Sequence, residues 1–142
     1  MKSIVFIYFF LIVTPACVTK QSRFVTEQQH QEDIEKLREY NADKLRQLSK
    51  YGVDENSDVS LLFYFTTDDS AKLKPLSDEL RKRNHHVNEM HQSPKDKTLW
   101  VLSANSSEVK MDSASVNKWT TALCELGYQY DCAMQGWNPV SE

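Results

Sequence analysis

The sequence predicts an α+β fold: a ferredoxin-like sandwich of order βαββαβ, with a four-stranded antiparallel sheet and two helices, preceded by an N-terminal helix. Three observations predict it. Residues 26–51 combine a strong helix-forming composition with a lack of Gly and Pro. Residues 59–65 and 98–102 are β-branched and aromatic runs, apolar on both alternations, as central strands are. Two segments with helical apolar spacing complete the two βαβ units.

The first 16 residues have the pattern of a secretory signal peptide. Lys2 supplies one positive charge, residues 4–13 carry no charged side chain, and Thr14-Pro15-Ala16 precedes Cys17. Ten helical residues rise about 15 Å, half of the roughly 30 Å bilayer core, so a permanent span is disfavoured. We therefore assign residues 1–16 to a signal peptide of the lipoprotein type.

Cys17 predicts a lipid anchor. Ala16-Cys17 matches the end of the bacterial lipoprotein signal, Leu-(Ala/Ser)-(Gly/Ala)-Cys, which is cut before a cysteine that carries lipid. Cys17 is then the first mature residue, residues 17–25 are a tether, and the protein is a membrane-anchored lipoprotein of the cell envelope facing the periplasm. Two alternatives stay open, which are a secreted or soluble periplasmic protein and an uncleaved anchor.

Residues 26–51 predict one surface helix that packs on the domain by a narrow face. The apolar positions recur near helical spacing and are Ile34, Leu37, Leu45, Leu48 and Tyr51. Asn41 interrupts this stripe. Gly52 supplies a C-terminal stop, so we place the domain itself at residues 52–142. A coiled coil is disfavoured because the segment holds fewer than four good heptads.

The first half of the domain predicts strand, helix and strand. The strand at 59–65 is followed by helix-capping residues at 66–69. The helix after them has apolar positions at Ala71, Leu73, Leu76 and Leu80. Pro75 lies inside it and indicates a bend or a delayed start. The strand at 86–91 is more polar, as an edge strand should be.

The second half repeats this order. The strand at 98–102 precedes a polar loop expected at 105–112, and Ser113 can cap the second helix. The apolar face of that helix consists of Val116, Trp119, Leu123 and Leu126. Gly127 is expected to close the helix, and residues 128–134 alternate as a final edge strand.

Composition and motifs exclude several classes of function. The 142 residues hold 17 Lys and Arg against 20 Asp and Glu, a formal net charge of −3, so no basic footprint for nucleic acid is present. The mild acidity identifies no partner. No glycine-rich phosphate loop, His-Glu-x-x-His, nucleophile elbow or Cys-x-x-Cys occurs. We therefore predict a protein that is not an enzyme and needs no cofactor or metal.

Several features together resemble the regulator of ribonuclease E inhibitor family, B type. These are the helix ending near Gly52, the acidic turn and apolar strand after it, Thr-Thr-Asp-Asp at 66–69, and the closing Tyr130-Asp131 and Gly136-Trp137. The resemblance covers roughly Asp43 to Val140. It implies a ferredoxin-like fold and a regulatory domain that binds a protein, with ribonuclease E as the family's target.

The chain departs from that family in two respects. The family's closing signature is Tyr-Asp-Gly-Trp without a break, whereas residues 132–135 separate its two halves here. The family's inhibitor is strongly acidic and cytoplasmic, whereas this chain is weakly acidic and carries an export leader. An exported copy would not meet ribonuclease E on the cytoplasmic face of the inner membrane, so the expected protein partner is unidentified. The alternative is an envelope lipoprotein with a structural or assembly role.

The residues expected to bind the partner lie near the chain end. They are Trp137, Tyr130 and Asp131, which belong to the family's signature. Trp137, between Gly136 and Pro139, is the best candidate for an exposed contact, because Trp is enriched in the hot spots of interfaces.

Histidines offer a weaker alternative as a metal or small-ligand site. His85, His86 and His91 lie close together, and Cys132 is a conceivable fourth ligand. Adjacent residues of a strand point to opposite faces, so at most one of His85 and His86 pairs with His91. Incidental surface histidines are therefore the favoured interpretation.

Two further pairs have competing interpretations. Cys124 and Cys132 are either a disulfide or two buried thiols, and the sequence leaves both open. Asp68 and Asp69 are either paired catalytic carboxylates or helix caps, and capping is favoured because it needs fewer assumptions.

Overall fold

A computed structural model describes residues 22–141, so the predicted signal peptide and Cys17 lie outside the described residues. The elements in chain order are helix α1 (Glu27–Ser49), strand β1 (Asp58–Thr67), a 3-10 turn (Ser70–Lys72), helix α2 (Leu73–Lys82), strand β2 (His86–Gln92), strand β3 (Trp100–Lys110), helix α3 (Ser113–Gln129) and strand β4 (Ala133–Pro139). None of these helices has both the length and the apolar character that crossing a bilayer requires.

The four strands form one antiparallel sheet in the order β2-β3-β1-β4. Strand β3 lies between β1 and β2, and β1 lies between β3 and β4, so the two βαβ units are interleaved. This is the ferredoxin-like arrangement, and it confirms the predicted fold class. The apolar strands β1 and β3 are central and the more polar β2 and β4 are edges, as the sequence predicts.

One face of the sheet packs against the helices and forms the core. In β1 the side chains of Leu61, Phe63, Phe65 and Thr67 are buried, whereas those between them are half-buried, because successive side chains point to opposite faces. One apolar cluster joins the sheet to all three helices, and its largest fully buried members are Trp137, Phe63, Phe65, Leu61, Leu73, Leu76, Leu80, Leu102 and Leu126. Burying each such side chain contributes about 1.5–3 kcal/mol.

Helix α1 begins after Thr26, whose Oγ1 accepts a hydrogen bond from the N–H of Gln29 at 3.1 Å. It packs along α3 and buries His30, Leu37 and Asn41. The chain then turns at Gly52, which has a φ of 86°. The sequence-based domain boundary at residue 52 therefore divides a single packed core, because α1 contributes to the same apolar cluster.

The prediction of a polar loop at 105–112 is wrong, because residues 105–110 form the second half of β3. They pair with residues 58–62 of β1, and backbone pairing does not require apolar side chains. Ser106 is buried there, and its Oγ accepts a hydrogen bond from the N–H of Leu61 at 2.9 Å. This bond lies where the register shifts between Ser60 and Leu62.

The predicted end of α3 and the predicted final strand at 128–134 are also wrong. The helix continues through Gly127 to Gln129, and β4 runs from Ala133 to Pro139. A Cβ at position 127 would lie 2.5 Å from the carbonyl oxygen of Cys132 and 2.7 Å from Cε1 of Phe65. Gly127 therefore permits a close approach of chain segments rather than ending the helix.

Helix α2 starts late, as Pro75 indicates. The side chain of Asp69 caps the 3-10 turn by accepting a hydrogen bond from the N–H of Ala71 at 2.9 Å, and α2 begins at Leu73.

Candidate functional site

The chain end brings the three predicted contact residues into three different environments. Trp137 lies in the core, Tyr130 is half-buried against the core, and Asp131 lies in a cluster of charged groups. Only Tyr130 and Asp131 are therefore accessible enough to contact a partner directly.

Trp137 is not an exposed contact, and that expectation is wrong. Its side chain is 1% exposed, and its Nε1 donates a hydrogen bond to Oδ1 of Asn41 at 2.8 Å. Its ring lies edge-on to Trp119 at 6.5 Å and to Tyr40 at 6.0 Å. The sequence predicts an exposed contact at this position between Gly136 and Pro139, but β4 pairs Trp137 with Phe63 of the central strand, and the side chain is buried in the core.

Asn41 is the centre of a buried polar network. Its side chain is 1% exposed, and its Nδ2 donates to Oδ1 of Asn117 and to Oγ1 of Thr120, both at 2.9 Å. With the bond from Trp137, the Asn41 amide links α1, α3 and β4. A buried amide that is satisfied in this way fixes how the elements pack, because a slipped helix would leave polar atoms without partners.

Asp131 anchors the N-terminal segment. It lies at a φ of 58° in the turn before β4, and its two carboxylate oxygens accept hydrogen bonds from the N–H groups of Val25 at 2.8 Å and Phe24 at 3.0 Å. Nζ of Lys72 lies 2.7 Å from Oδ2 of the same carboxylate. Partial burial acts to raise the pKa of Asp131, but the hydrogen bonds from Lys72 and the two backbone N–H groups outweigh it and hold this pKa below its ordinary value.

Lys72 connects two carboxylates. Its Nζ lies 2.6 Å from Oδ1 of Asp68 as well as 2.7 Å from Asp131. Burial is the largest single influence and acts to lower the pKa of Lys72, but the hydrogen bonds to Asp131 and Asp68 and the charges of these carboxylates together outweigh it, so this pKa is raised. The Asp68–Lys72–Asp131 cluster therefore holds the end of β1, the 3-10 turn and the turn before β4 together.

The described part of the predicted tether, residues 22–25, is packed on the domain, and the tether assignment is wrong for these residues. Val25 is 3% exposed. The guanidinium of Arg23 lies 4.1 Å from the ring centre of Tyr128, hydrogen bonds its carbonyl oxygen and lies 3.6 Å from Asp131. His30 of α1 stacks on the same Tyr128 ring at 4.4 Å.

Asp68 and Asp69 have two different structural roles. Asp69 caps the 3-10 turn, which agrees with the capping interpretation, and Asp68 pairs with Lys72. Neither arrangement is the close pair of carboxyl groups that acid–base catalysis uses.

The histidines are spread over two environments. His85 is half-buried and lies edge-on to Phe63 at 5.2 Å, and burial, followed by the nearby charge of Arg83, lowers its pKa. His86 and His91 are exposed on β2. Across residues 22–141, no group of three His, Cys, Asp or Glu side chains is arranged to hold a metal ion.

Both described cysteines are buried free thiols. Burial raises the pKa of Cys124 and of Cys132 to about 12. The interpretation as buried thiols is therefore the one that the structure adopts.

The fold is that of a ferredoxin-like α+β sandwich whose ionic and polar clusters hold its elements together. The sequence model of the family described as regulator of ribonuclease activity B matches residues 38–138. The chain belongs to this family, which confirms the resemblance seen in the sequence. No curated protein matches the chain.

Sequence reasoning missed Asn41, Lys72 and Arg23 as organising residues. Asn41 had a usable signal, since it lies at helical spacing between Leu37 and Leu45 and so on the buried face of α1. Lys72 and Arg23 had none, because their partner Asp131 is 59 and 108 residues away along the chain.

Proposed function

We propose that this protein is a non-catalytic regulatory module that binds another protein. The match of residues 38–138 to a family of regulators of ribonuclease activity carries the proposal. The contacts of the ionisable groups support it, since Asp68, Asp131 and Lys72 are engaged in structural ion pairs and Asp69 in a cap. Tyr130, which is half-buried, is the proposed partner contact at the chain end, and Asp131 fixes the turn that presents it.

The proposal includes export and anchoring through a lipid on Cys17. The leader with its Ala16-Cys17 end supports this location. A lipidated copy faces the periplasm and is separated by the membrane from a cytoplasmic ribonuclease. The proposed partner is therefore a protein of the cell envelope, and the domain acts there without contacting nucleic acid directly.

The anchor is tested by intact mass spectrometry of the membrane fraction. The full chain should lose residues 1–16 and gain the mass of a diacylglycerol on Cys17, and globomycin should block the cleavage. Cys17→Ser should abolish both, whereas Val18→Ser, which leaves the cysteine in place, should abolish neither. A soluble product that retains Met1 to Ala16 contradicts anchoring.

The partner is tested by two parallel measurements on the full chain. Crosslinking in intact cells should capture an envelope protein, and the capture should weaken in Tyr130→Ala but persist in the control Tyr51→Ala, whose ring is 84% exposed at the far end of α1. Purified chain is also added to ribonuclease E and an RNA substrate. Inhibition there, with no envelope capture, assigns the family's activity to this chain and contradicts the envelope partner.

A further inference from the structure

The two edge strands of the sheet, β4 and β2, differ in whether another element covers them. At β4, the hydroxyl of Tyr40 donates to the carbonyl oxygen of Trp137 at 2.8 Å, and Nζ of Lys44 donates to Oδ1 of Asn138 at 2.6 Å, so α1 covers this edge. Within residues 22–141, strand β2 pairs only with β3, and it is exposed at six of its seven residues. Every second residue of such a strand directs its N–H and C=O away from the sheet.

Basic residues lie at both ends of β2. Arg81, Lys82 and Arg83 precede it, and Lys95 and Lys97 follow it in the turn to β3. Residues 74–97 hold six Lys and Arg against four Asp and Glu, a net charge of +2. The rest of residues 22–141 holds nine against fifteen, a net charge of −6. The free edge is therefore the positive side of an otherwise acidic domain.

These cations are not all neutralised. Arg81, Lys82 and Arg83 share ion pairs with Asp78 and Glu79 on α2. Lys95 and Lys97, in contrast, form no ion pair within residues 22–141, because the carboxylate of Asp96 between them bonds the N–H and hydroxyl of Thr98. Two lysines without an ion pair within residues 22–141 therefore lie next to the C-terminal end of β2, where a ligand can reach them.

An apolar side chain lies in the middle of the same edge. Met90 pairs with Leu102 of β3 and is 46% exposed; among the large apolar side chains of residues 22–141, only Tyr51 is more exposed. Methionine is flexible and polarisable and adapts to varied apolar partners. Edge strands of soluble proteins are usually protected by charged side chains, Pro, bulges or a covering element. Strand β2 contains neither Lys nor Pro; it has the charged Glu89 and a register shift between Val87 and Glu89, so residues 89–92 form the regular part of this edge.

We propose that the β2 edge is a docking site for an extended acidic segment of a partner protein, which adds to the sheet as a fifth strand. Backbone hydrogen bonds to β2 would supply register, an apolar side chain of the segment would pack on Met90, and its carboxylates would approach Lys95 and Lys97. This assignment rests on the proposed protein-binding function and specifies the chemistry of the partner. It is separate from Tyr130, which lies between α3 and β4, the strand at the other edge of the sheet.

The test is an NMR titration of the ¹⁵N-labelled full chain, purified in a mild detergent, with the capped peptide Glu-Val-Glu-Val-Glu-Val-Glu. The expected result is a set of shifted amides in residues 86–92 that leaves residues 133–139 unmoved. K95E/K97E should weaken binding at least about fivefold, and added salt should weaken it in the native chain. K50E/K118E, the same charge change at exposed sites elsewhere, should bind as the native chain does.

Other outcomes overturn the docking site. These are no saturable binding, shifts centred on β4 or the helices, equal binding of a Ser-Val peptide without carboxylates, and tighter binding of oligo(U), which would make the edge a nucleic-acid site. Unfolding curves must show that both double variants are folded. The titration uses purified protein and a synthetic peptide, so it does not depend on the envelope partner. If the peptide fails to bind, the docking site is wrong but capture through Tyr130 can still succeed. If the capture fails, the titration still tests the β2 edge.

Discussion

Asn41 and Trp137 join helix α1 to strand β4 through one buried hydrogen bond, from Nε1 of the indole to Oδ1 of the amide at 2.8 Å. Both side chains are 1% exposed. The family match begins at residue 38, three residues before this asparagine, so it includes the half of α1 that the bond secures. The second half of α1 is therefore part of the domain, and Trp137 contributes by holding it in place.

The first prediction concerns Asn41→Ala. It removes three hydrogen bonds and leaves the indole N–H of Trp137 buried without a partner, so we expect a loss of about 2–4 kcal/mol in the free energy of unfolding. Urea unfolding followed by Trp fluorescence measures it. Asn56→Ala, in an exposed turn, is the control and should change stability by less than about 0.5 kcal/mol. Equal midpoints for the two variants would mean that the network is not structural.

The second prediction is that Trp137→Ala strongly lowers the free energy of unfolding. Removing a large aromatic side chain from a packed core costs about 3–5 kcal/mol, and Phe63→Ala should behave similarly because Phe63 is fully buried. The exposed His86→Ala is the control and should stay within about 0.5 kcal/mol. Chemical unfolding of the three variants decides it, and a stable Trp137→Ala protein would contradict the core assignment.

Much of the fold could be predicted from the sequence because its signals are local. Helix α1 is indicated by its composition, and β1 and β3 by runs that are apolar on both alternations. Helices α2 and α3 are indicated by apolar residues that recur at the helical period. Their order then leaves few arrangements, since βαβ connections are right-handed and edge strands tolerate polarity.

The remaining features depend on tertiary contacts that no local pattern records. The end of β3 is polar and is held by its backbone partner β1, so its side chains resemble a loop. Glycine at position 127 is typical of a helix end. Its small size is instead needed because the Phe65 ring and the carbonyl oxygen of Cys132 pack closely against this position. The role of Asp131 as a partner contact stays a prediction, whereas its bonds to Phe24, Val25 and Lys72 could not be predicted because these residues are distant in sequence.

The third prediction concerns the thiols of Cys124 and Cys132. Their pKa values of about 12 and their burial predict negligible reaction with iodoacetamide at pH 8 in the native protein. After denaturation without a reductant both should be alkylated, because they are free. Peptide mass spectrometry reads each site separately. If both residues resist alkylation after denaturation and react only once reduced, they form a disulfide in the isolated protein.

The fourth prediction is that Gly127→Ala destabilises the protein by about 1–3 kcal/mol, although Ala is the better helix former. The new methyl group would lie 2.5 Å from a backbone oxygen, which cannot rotate away, and 2.7 Å from the Phe65 ring. Thermal unfolding measures the loss. Ala122→Gly on the exposed side of α3 is the converse control, with an expected loss of about 1 kcal/mol from propensity alone. A stabilised Gly127→Ala protein would show that the segments can separate without loss.

The last prediction uses the lowered pKa of Asp131. A carboxyl group whose pKa is lower in the folded than in the unfolded state stabilises the fold fully at a pH above the unfolded value, here 3.8. That stabilisation is lost as the pH falls through the lower, folded-state pKa, because protonation then removes the charge that Lys72 and the N–H groups of Val25 and Phe24 bind. The contribution of Asp131 to the free energy of unfolding is therefore present at neutral pH and declines below about pH 4.

We expect Asp131→Asn to lose about 1.5–3 kcal/mol at pH 7, the range for hydrogen bonds to charged groups, and to differ less and less from the native chain below pH 3.8. Asparagine tolerates the φ of 58°, so the turn itself should persist. Urea unfolding at pH 7 and pH 3 measures the difference, and hydrogen exchange should show the amides of Phe24 and Val25 losing protection. Asp58→Asn, exposed at the start of β1 and in no ion pair within residues 22–141, is the control and should have little effect at either pH. An equal loss from Asp131→Asn at both pH values would mean that its charge does not hold the N-terminal segment.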